Sequence, residues 1–127
     1  MTLILLLLLT TPQKCLSYEP DAVTLNGTIR QHTFPGPPNY ESVAKGDQAE
    51  RVWVLHLAAP ICVSASSDWE EETGVSDVQL VIANGYSQYR KLLGRRVVVN
   101  GTMFRAHTGH HHTKVLLTVS SIKGRLP

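Results

Sequence analysis

The segment Arg51–Val63 is the feature that most constrains how this chain folds. A strand with one face in water has apolar residues only at every second position. Here both alternating sets are largely apolar, namely Val52, Val54 and His56 on one side and Trp53, Leu55 and Leu57 on the other. This pattern predicts a strand covered on both faces, as in a closed barrel or a covered sheet.

Four further segments are predicted to be strands, namely Ala22–Thr33, Val78–Ala83, Arg95–Ala106 and Lys114–Ile122. Gly27 and Gly101 interrupt two of them, and a glycine inside a strand usually marks a bulge or a bend. Tyr86–Leu93 has large residues at helical spacing and is followed by Gly94, which predicts a short helix. The polar, acidic stretch Ser64–Ser76 is predicted to be a surface loop.

This order of elements predicts a five-stranded OB-fold-like Greek-key barrel, with one short helix between strands three and four. The interior glycines suit the tight coiling that closure of a barrel needs. A two-sheet sandwich of the same strands is the alternative. With 127 residues and 43% apolar side chains, the chain is long enough for one hydrophobic core, which we place in a single domain over residues 18–127.

The N-terminal residues predict export. Leu3–Leu9 is an unbroken apolar run, too short for a bilayer span of about 20 residues, and it is typical of the central part of a signal peptide. Residues 1–17 are therefore predicted to be a signal peptide, cleaved after Ser17 or, alternatively, before Cys15. We expect a periplasmic or secreted protein without a stable membrane span. A buried N-terminal helix is the alternative.

The chain has two cysteines, Cys15 and Cys62. An exported protein with two cysteines is predicted to join them in a disulfide. In the barrel interpretation the segment that enters strand one lies beside the end of strand two, so the pair can come within the required distance of about 7 Å. The alternative is that Cys62 is a lone buried thiol.

The stretch His107–His112 holds four of the six histidines around a Thr-Gly pair, which predicts a two-residue turn between strands four and five. With that turn, His107 and His110 lie opposite each other across the hairpin. His110 and His112 then share one face of strand five, and His111 points to the other.

Three of these rings, from His107, His110 and His112, are candidate ligands for zinc or copper, with His32 as a conceivable fourth. Two alternatives remain open. The rings are exposed polar residues of a hairpin tip that contacts the preceding loops, or they bind an organic or peptide ligand. His56 lies in an apolar strand and is predicted to be a semi-buried ring rather than a ligand.

The segment Phe34–Tyr40 contains three prolines and is predicted to leave the sheet, because proline donates no backbone hydrogen bond. In OB-folds the loops after strands one and four form much of the ligand surface. Residues 34–47 and 107–112 occupy these two loops, so we expect them to meet. The candidate binding residues are Phe34, Pro37, Pro38, Asn39, Tyr40, Glu41, His107, His110, His111 and His112. The alternative is that the proline segment only caps the open end of the barrel, with Glu41, Lys45 and Asp47 as rim charges.

Several function classes are disfavoured. A formal charge of +2 and few aromatic residues on strands two and three argue against nucleic-acid binding. The chain lacks the common catalytic motifs, so we expect no enzyme activity. The leading expectation is a monomeric binding or accessory module for an unknown protein or small ligand of the cell envelope. An inhibitor or immunity protein against a secreted hydrolase, and a transition-metal carrier, are the alternatives.

Five stretches of sequence resemble a bacterial exported family known as domain of unknown function 4431. They are Tyr18–Pro20, Thr33–Ser42, Lys45–Asp47, Pro60–Val63 and Ala106–Thr113. The resemblance implies a bacterial protein of a Gram-negative envelope. It also implies that the proline and histidine segments are parts of one arrangement that the family shares. It does not indicate an activity.

Overall fold

Five β-strands form the framework of the computed structural model, which describes residues 2–5 and 14–125. They are β1 (Ala22–Pro35), β2 (Ala49–Val63), β3 (Glu72–Val81), β4 (Arg96–Arg105) and β5 (Val115–Gly124). Two short 3-10 helices, Val43–Lys45 and Ser87–Leu92, lie in the connections. The prediction of a mainly β fold with five strands is confirmed.

The strands are hydrogen-bonded in the order β1-β2-β3-β5-β4, and β4 pairs with β1, so the hydrogen bonding runs in a ring. Neighbouring strands are antiparallel except for β3 and β5, which are parallel. A parallel pair needs a long connection between its strands. Here that connection contains the second 3-10 helix, β4 and the loop after it. The sheet is therefore mixed.

The hydrophobic core fills the inside of the ring because alternate residues of each strand point inwards. Along β4, Val97, Val99 and Met103 are fully buried, while the residues between them, apart from Gly101, remain partly exposed. The other strands contribute further fully buried side chains to this core, including Ile29, Leu55, Val78, Leu80, Val115 and Leu117.

Strand β2 is buried on both faces, as its sequence predicts. Trp53 and Leu55 belong to the core, while Val54 faces outwards and is nevertheless only 2% exposed. Val54 pairs with Gln79 of β3, and Gln79 pairs with Leu116 of β5. These three residues form a buried row on the outside of the sheet, so a connecting segment must cover the row.

Two interior glycines allow neighbouring strands to approach closely. A Cβ atom added at Gly27 would overlap the carbonyl oxygen of His56, and one added at Gly101 would overlap that of Thr118. Gly27 also lies where β1 pairs with β2 and β4 at once, and a register irregularity precedes Gly101. Gly101 thus marks irregular pairing, as predicted, whereas the register around Gly27 is regular on both sides.

Two predicted boundaries are wrong. Strand β3 begins at Glu72 rather than near Val78, because its early part pairs irregularly with β2 and buries Val75. The polar character of this part reflects outward residues such as Glu72, whose carboxylate binds Arg105 at 2.8 Å. Strand β1 continues through Pro35, because a proline at the end of a strand removes no essential ladder bond.

The disulfide between Cys15 and Cys62 is present, with a Cα–Cα distance of 4.7 Å, and the predicted pairing is confirmed. Next to it, the N–H of Leu16 donates to the carbonyl oxygen of Cys62 at 2.9 Å. Tyr18, two residues further on, is 3% exposed and belongs to the core. The segment that carries Cys15 is therefore packed against the end of β2.

The predicted helix is present as the 3-10 helix Ser87–Leu92, whose Leu92 packs against the core. The predicted signal segment 1–17 lies partly outside the described residues, since residues 1 and 6–13 are not among them. In the part of the chain that the structure describes, no helix has both the length and the apolar character needed for a bilayer span.

The close approach at Gly27 leads to a stability prediction. Gly27→Ala should lower the free energy of unfolding by about 1–3 kcal/mol, because the added methyl group forces β1 and β2 apart. Gly124→Ala is the control, since its Cβ would stand at an ordinary 3.5 Å from Leu92. Urea denaturation followed by circular dichroism measures both. Equal stability of the two variants would contradict the interpretation.

Candidate functional site

A buried carboxylate organises the connection between β1 and β2, residues 36–48, which we call the proline loop. The Asp47 carboxylate accepts backbone hydrogen bonds from Asn39, Glu41 and Ser42, each at 2.9 Å. These bonds hold the pKa of Asp47 below its ordinary value. Asp47 is 6% exposed, so its assignment as a rim charge is wrong. Its carboxylate instead serves as the hydrogen-bond acceptor for three backbone N–H groups of the same loop.

Further backbone bonds tie the proline loop to its own base. The N–H of Gly36 donates to Gln48 at 2.7 Å, and the N–H of Tyr40 donates to Gly36 at 2.9 Å. Tyr40 has a φ of 55°, in the left-handed region that few non-glycine residues adopt. Tyr40 is 37% exposed at the surface of the loop.

The connection between β4 and β5 is the nine-residue segment 106–114, which we call the histidine loop. The predicted two-residue hairpin turn is wrong, since β4 ends at Arg105 and β5 begins only at Val115. Side chains inside the loop accept hydrogen bonds from backbone N–H groups. In a tight hairpin, backbone carbonyl groups would accept these bonds instead. The ring of His111 accepts from the N–H of His107 at 3.0 Å, and the Thr108 hydroxyl accepts from His110 at 3.3 Å. The histidines consequently lie in a loop rather than on strand five.

Gln79 fixes the histidine loop onto the outer face of the sheet. Its side-chain amide donates to the carbonyl oxygen of His110 at 3.1 Å and accepts from the N–H of His112 at 2.7 Å. Its own backbone N–H donates to the Thr113 hydroxyl at 2.9 Å. Because Gln79 is the middle residue of the buried outer row, the loop crosses this row.

A single carboxylate joins two of the histidines. Glu50 Oε2 lies 2.8 Å from His110 Nδ1, and Glu50 Oε1 lies 2.9 Å from His112 Nε2. An ionised carboxylate can only accept, so both rings donate to it. Burial raises the pKa of Glu50, but the hydrogen bonds and the charge interactions of His112 and His110 together outweigh burial and hold that pKa below its ordinary value.

Ring contacts connect the two loops beside Glu50. Phe34 pairs with Glu50 across β1 and β2, and its ring stacks on His112 at 4.5 Å with an interplanar angle of 3°. Tyr40 meets the His110 ring edge-on at 5.6 Å, with its hydroxyl 3.5 Å from Nε2. A Cβ at Gly109 would come within 2.8 Å of the Tyr40 ring, so the backbone there lies directly against the tyrosine. The predicted meeting of the two loops is therefore what the structure shows.

The other two histidines face a different neighbour. His107 and His111 lie edge-on to each other at 4.7 Å, and both contact the ring of Phe104. The His111 Nδ1 atom accepts backbone hydrogen bonds, so the neutral ring carries its proton on Nε2. Burial, together with the nearby histidines, lowers the pKa of His111. This ring is a structural acceptor inside the loop.

The structure does not bring the three predicted metal ligands together. His110 and His112 share Glu50, whereas His107 lies with His111. Within residues 2–5 and 14–125, no group of three or more histidine, cysteine or acidic side chains could hold a metal ion. His32 contacts Phe34 at 6.1 Å between ring centres. In this arrangement the ring nitrogens of His110 and His112 serve as hydrogen-bond donors to a carboxylate.

The ten predicted binding residues divide into two groups by exposure. Four are partly buried and support the loops, namely Phe34, Pro37, His111 and His112. Six are exposed at the surface of the loops, namely Pro38, Asn39, Tyr40, Glu41, His107 and His110. The His110 side chain is 61% exposed, and Val43, also on the proline loop, is 45% exposed. The exposed group combines aromatic, apolar and polar surface.

Sequence reasoning missed Glu50 and Gln79. Glu50 lies 60 residues from His110 and Gln79 lies 31 residues from it along the chain, so no local spacing links them. A weak signal existed for Gln79, since it is a long polar side chain between Val78 and Leu80 in an apolar strand. His56, predicted as semi-buried, is 43% exposed at its side chain and binds Asp77 at 2.9 Å.

Residues 77–123 match the model of a family described as Domain of unknown function (DUF4431). The match confirms the resemblance over this segment, which contains Gln79, β4 and the histidine loop. No curated protein matches the chain.

The lowered pKa values of Asp47 and Glu50 predict sensitivity to acid. In the unfolded chain these groups titrate near their ordinary values of about 4, so their stabilising effect is complete above about pH 5. It is lost as the pH falls through the lower folded values. The melting temperature, followed by circular dichroism from pH 7 to pH 2, should fall steeply below about pH 4.

Two variants test the source of that acid sensitivity. Asp47→Asn should melt at a lower temperature at pH 7 and lose less on acidification, because the variant has no charge to titrate at this position. Glu41→Gln removes an exposed carboxylate from the same loop and should follow the wild-type profile. A profile of Asp47→Asn that runs parallel to the wild type would contradict the assignment.

Proposed function

We propose that this protein is an exported binding module whose contact surface is formed by the proline loop and the histidine loop together. The observation that carries the proposal is the shared Glu50 carboxylate, with the ring contacts beside it. These contacts anchor the histidine loop beside the base of the proline loop, and the Tyr40 ring meets His110 and Gly109 directly. Two loops from distant parts of the sequence thereby form one surface. A surface that is ordered before binding loses less conformational entropy when a partner docks.

The partner we propose is a protein rather than a small ligand. Clefts of about 350, 200 and 250 Å³ lie elsewhere on the described part of the molecule, and Tyr40, Val43 and His110 line none of these three. The histidine loop reaches the 250 Å³ cleft only with Thr113 and Lys114, at its end. The loops instead present Tyr40, Val43 and His110 outwards. Exposed tyrosine beside apolar and polar groups is typical of protein interfaces. Tyrosine also often supplies a large share of the binding energy.

We further propose that the ring of strands is an OB-like Greek-key barrel. The strand order β1-β2-β3-β5-β4 and the helix between β3 and β4 support this assignment. In such barrels the outer face of strands two and three commonly takes part in ligand binding. Here the histidine loop lies across part of that face through Gln79. The proposed contact surface is therefore the outer side of the loops.

Export is part of the same proposal. A disulfide between Cys15 and Cys62 is expected to persist in an oxidising compartment such as the periplasm. The leucine run Leu3–Leu9 supplies the apolar centre of a signal peptide. Since Cys15 takes part in the disulfide and Leu16 bonds to β2, we propose cleavage before Cys15 rather than after Ser17.

An inhibitor of a secreted hydrolase is a special case of this proposal. The hydrogen bonds within the proline loop favour this case, because they hold the loop in one conformation. A rigid loop loses little conformational entropy when it enters an active-site cleft. The distinguishing result is the identity of the partner. A bound hydrolase that loses activity when this protein is added identifies an inhibitor.

Binding through the loops is tested by substitution of two exposed residues. Tyr40→Ala combined with Val43→Asp should reduce the protein retained from an envelope extract at least tenfold, since it removes an aromatic anchor and adds a charge. Quantitative mass spectrometry measures the retained partners. Tyr86→Ala is the matched control, because Tyr86 has a similar exposure of 38% and lies outside both loops.

Each variant must first give a wild-type circular dichroism spectrum, so that loss of binding is not loss of folding. Retention of the same partners by the loop variant and by wild type would exclude the loops as the contact surface.

A further inference from the structure

A cleft lies away from the two loops, on the outer side of the sheet. It has a volume of about 350 Å³ and is lined by Thr28 of β1, His56 of β2, Arg96 of β4 and Arg125, which follows β5. Gly27, Leu57 and Ala58 complete its lining. The loop surface of the proposed function shares no residue with this cleft.

Strand pairing places three of these side chains in one row. Thr28 pairs with His56 on one side and with Arg96 on the other. Directly paired residues project from the same face of a sheet, so the hydroxyl, imidazole and guanidinium groups are neighbours. The N–H of Arg125 donates to the carbonyl oxygen of Arg96 at 2.9 Å, which brings a second guanidinium to the same cleft.

The two arginines are free of acidic partners. In the described part of the chain, neither Arg96 nor Arg125 forms an ion pair, whereas Arg105 binds both Glu70 and Glu72. The carboxylate nearest to the row along the pairing is Asp77, and it binds His56. Two positively charged side chains therefore line one cleft, and no carboxylate of the described residues pairs with either of them.

The interaction with Asp77 also orients the imidazole. Asp77 Oδ1 lies 2.9 Å from His56 Nδ1, so His56 donates from Nδ1 and the ring is held in place. The other nitrogen, Nε2, belongs to a ring that lines the cleft. Across residues 14–125 this atom has no hydrogen-bond partner. A protonated His56 would thus offer a further donor beside the arginines.

We propose that this cleft binds an oxyanion, either a phosphate or a carboxylate group of a small molecule or chain end. Guanidinium groups match the planar oxygen pairs of both anions and bind them through two parallel hydrogen bonds. The Thr28 hydroxyl adds a neutral donor between the charged groups.

Titration of the ¹⁵N-labelled protein with inorganic phosphate, sodium acetate and sodium chloride tests the site at matched ionic strength and constant pH. Phosphate or acetate should shift the backbone amide signals of Gly27, Thr28, Leu57 and Ala58 in a saturable way, and chloride should not. Saturation by phosphate alone identifies a phosphate site, and saturation by acetate alone identifies a carboxylate site. No saturable shift beyond that of chloride would overturn the proposal.

Charge-matched variants separate a built site from general attraction. Arg96→Gln with Arg125→Gln should weaken the saturable binding at least tenfold, and Thr28→Val should weaken it severalfold. Arg90→Gln with Lys91→Gln removes the same charge from the exposed 3-10 helix and should leave binding unchanged. Equal weakening by both double variants would overturn the proposal. Unchanged amide signals far from the cleft verify that each variant is folded.

Discussion

The Glu50 carboxylate, held between the rings of His110 and His112, is the interaction on which the arrangement of this molecule depends. A partly buried carboxylate is costly unless donors compensate it, and the two histidines supply donors from both sides. Because Glu50 stands at the start of β2 and pairs with Phe34, the same contact connects two strands to the histidine loop.

Hydrophobic burial supplies much of the energy for this arrangement, and the polar contacts determine its geometry. Val54 and Leu116 lie on the outer face and are 2% and 0% exposed. Covering such side chains stabilises a fold by about 1.5–3 kcal/mol each. Gln79 lies between these two residues and hydrogen-bonds to the backbone of the histidine loop. This bond fixes where the histidine loop lies on the outer face. This explains why β2 needs apolar residues on both faces although only one of them meets the core.

Much of the fold could be predicted from the sequence because its signals are local. Alternation in Lys114–Ile122 and the glycine at position 101 are local signals, and they correctly indicated a strand and irregular pairing. The disulfide followed from the predicted export and the presence of two cysteines, and the meeting of the loops followed from strand order. The start of β3 and the length of the histidine loop could not be predicted. Irregular pairing determines the first, and backbone N–H groups that donate to the His111 ring determine the second.

The chemistry of the loops could be predicted only in part. Clustered histidines marked the right segment, yet their partners Glu50 and Gln79 come from other strands and have no motif of their own. Asp47 resembled an ordinary loop charge until its three backbone donors were visible. A polar side chain that organises a loop is recognised by its hydrogen-bond partners in the folded structure. The amino-acid sequence does not show these partners.

The most direct test of the account is a nuclear Overhauser measurement between the two loops in solution at neutral pH. The account predicts cross-peaks between the ring protons of Phe34 and His112, and between the Tyr40 ring and the α-protons of Gly109. Folded protein that lacks both sets of cross-peaks would contradict it, since the loops would then be independent and Glu50 would not join them.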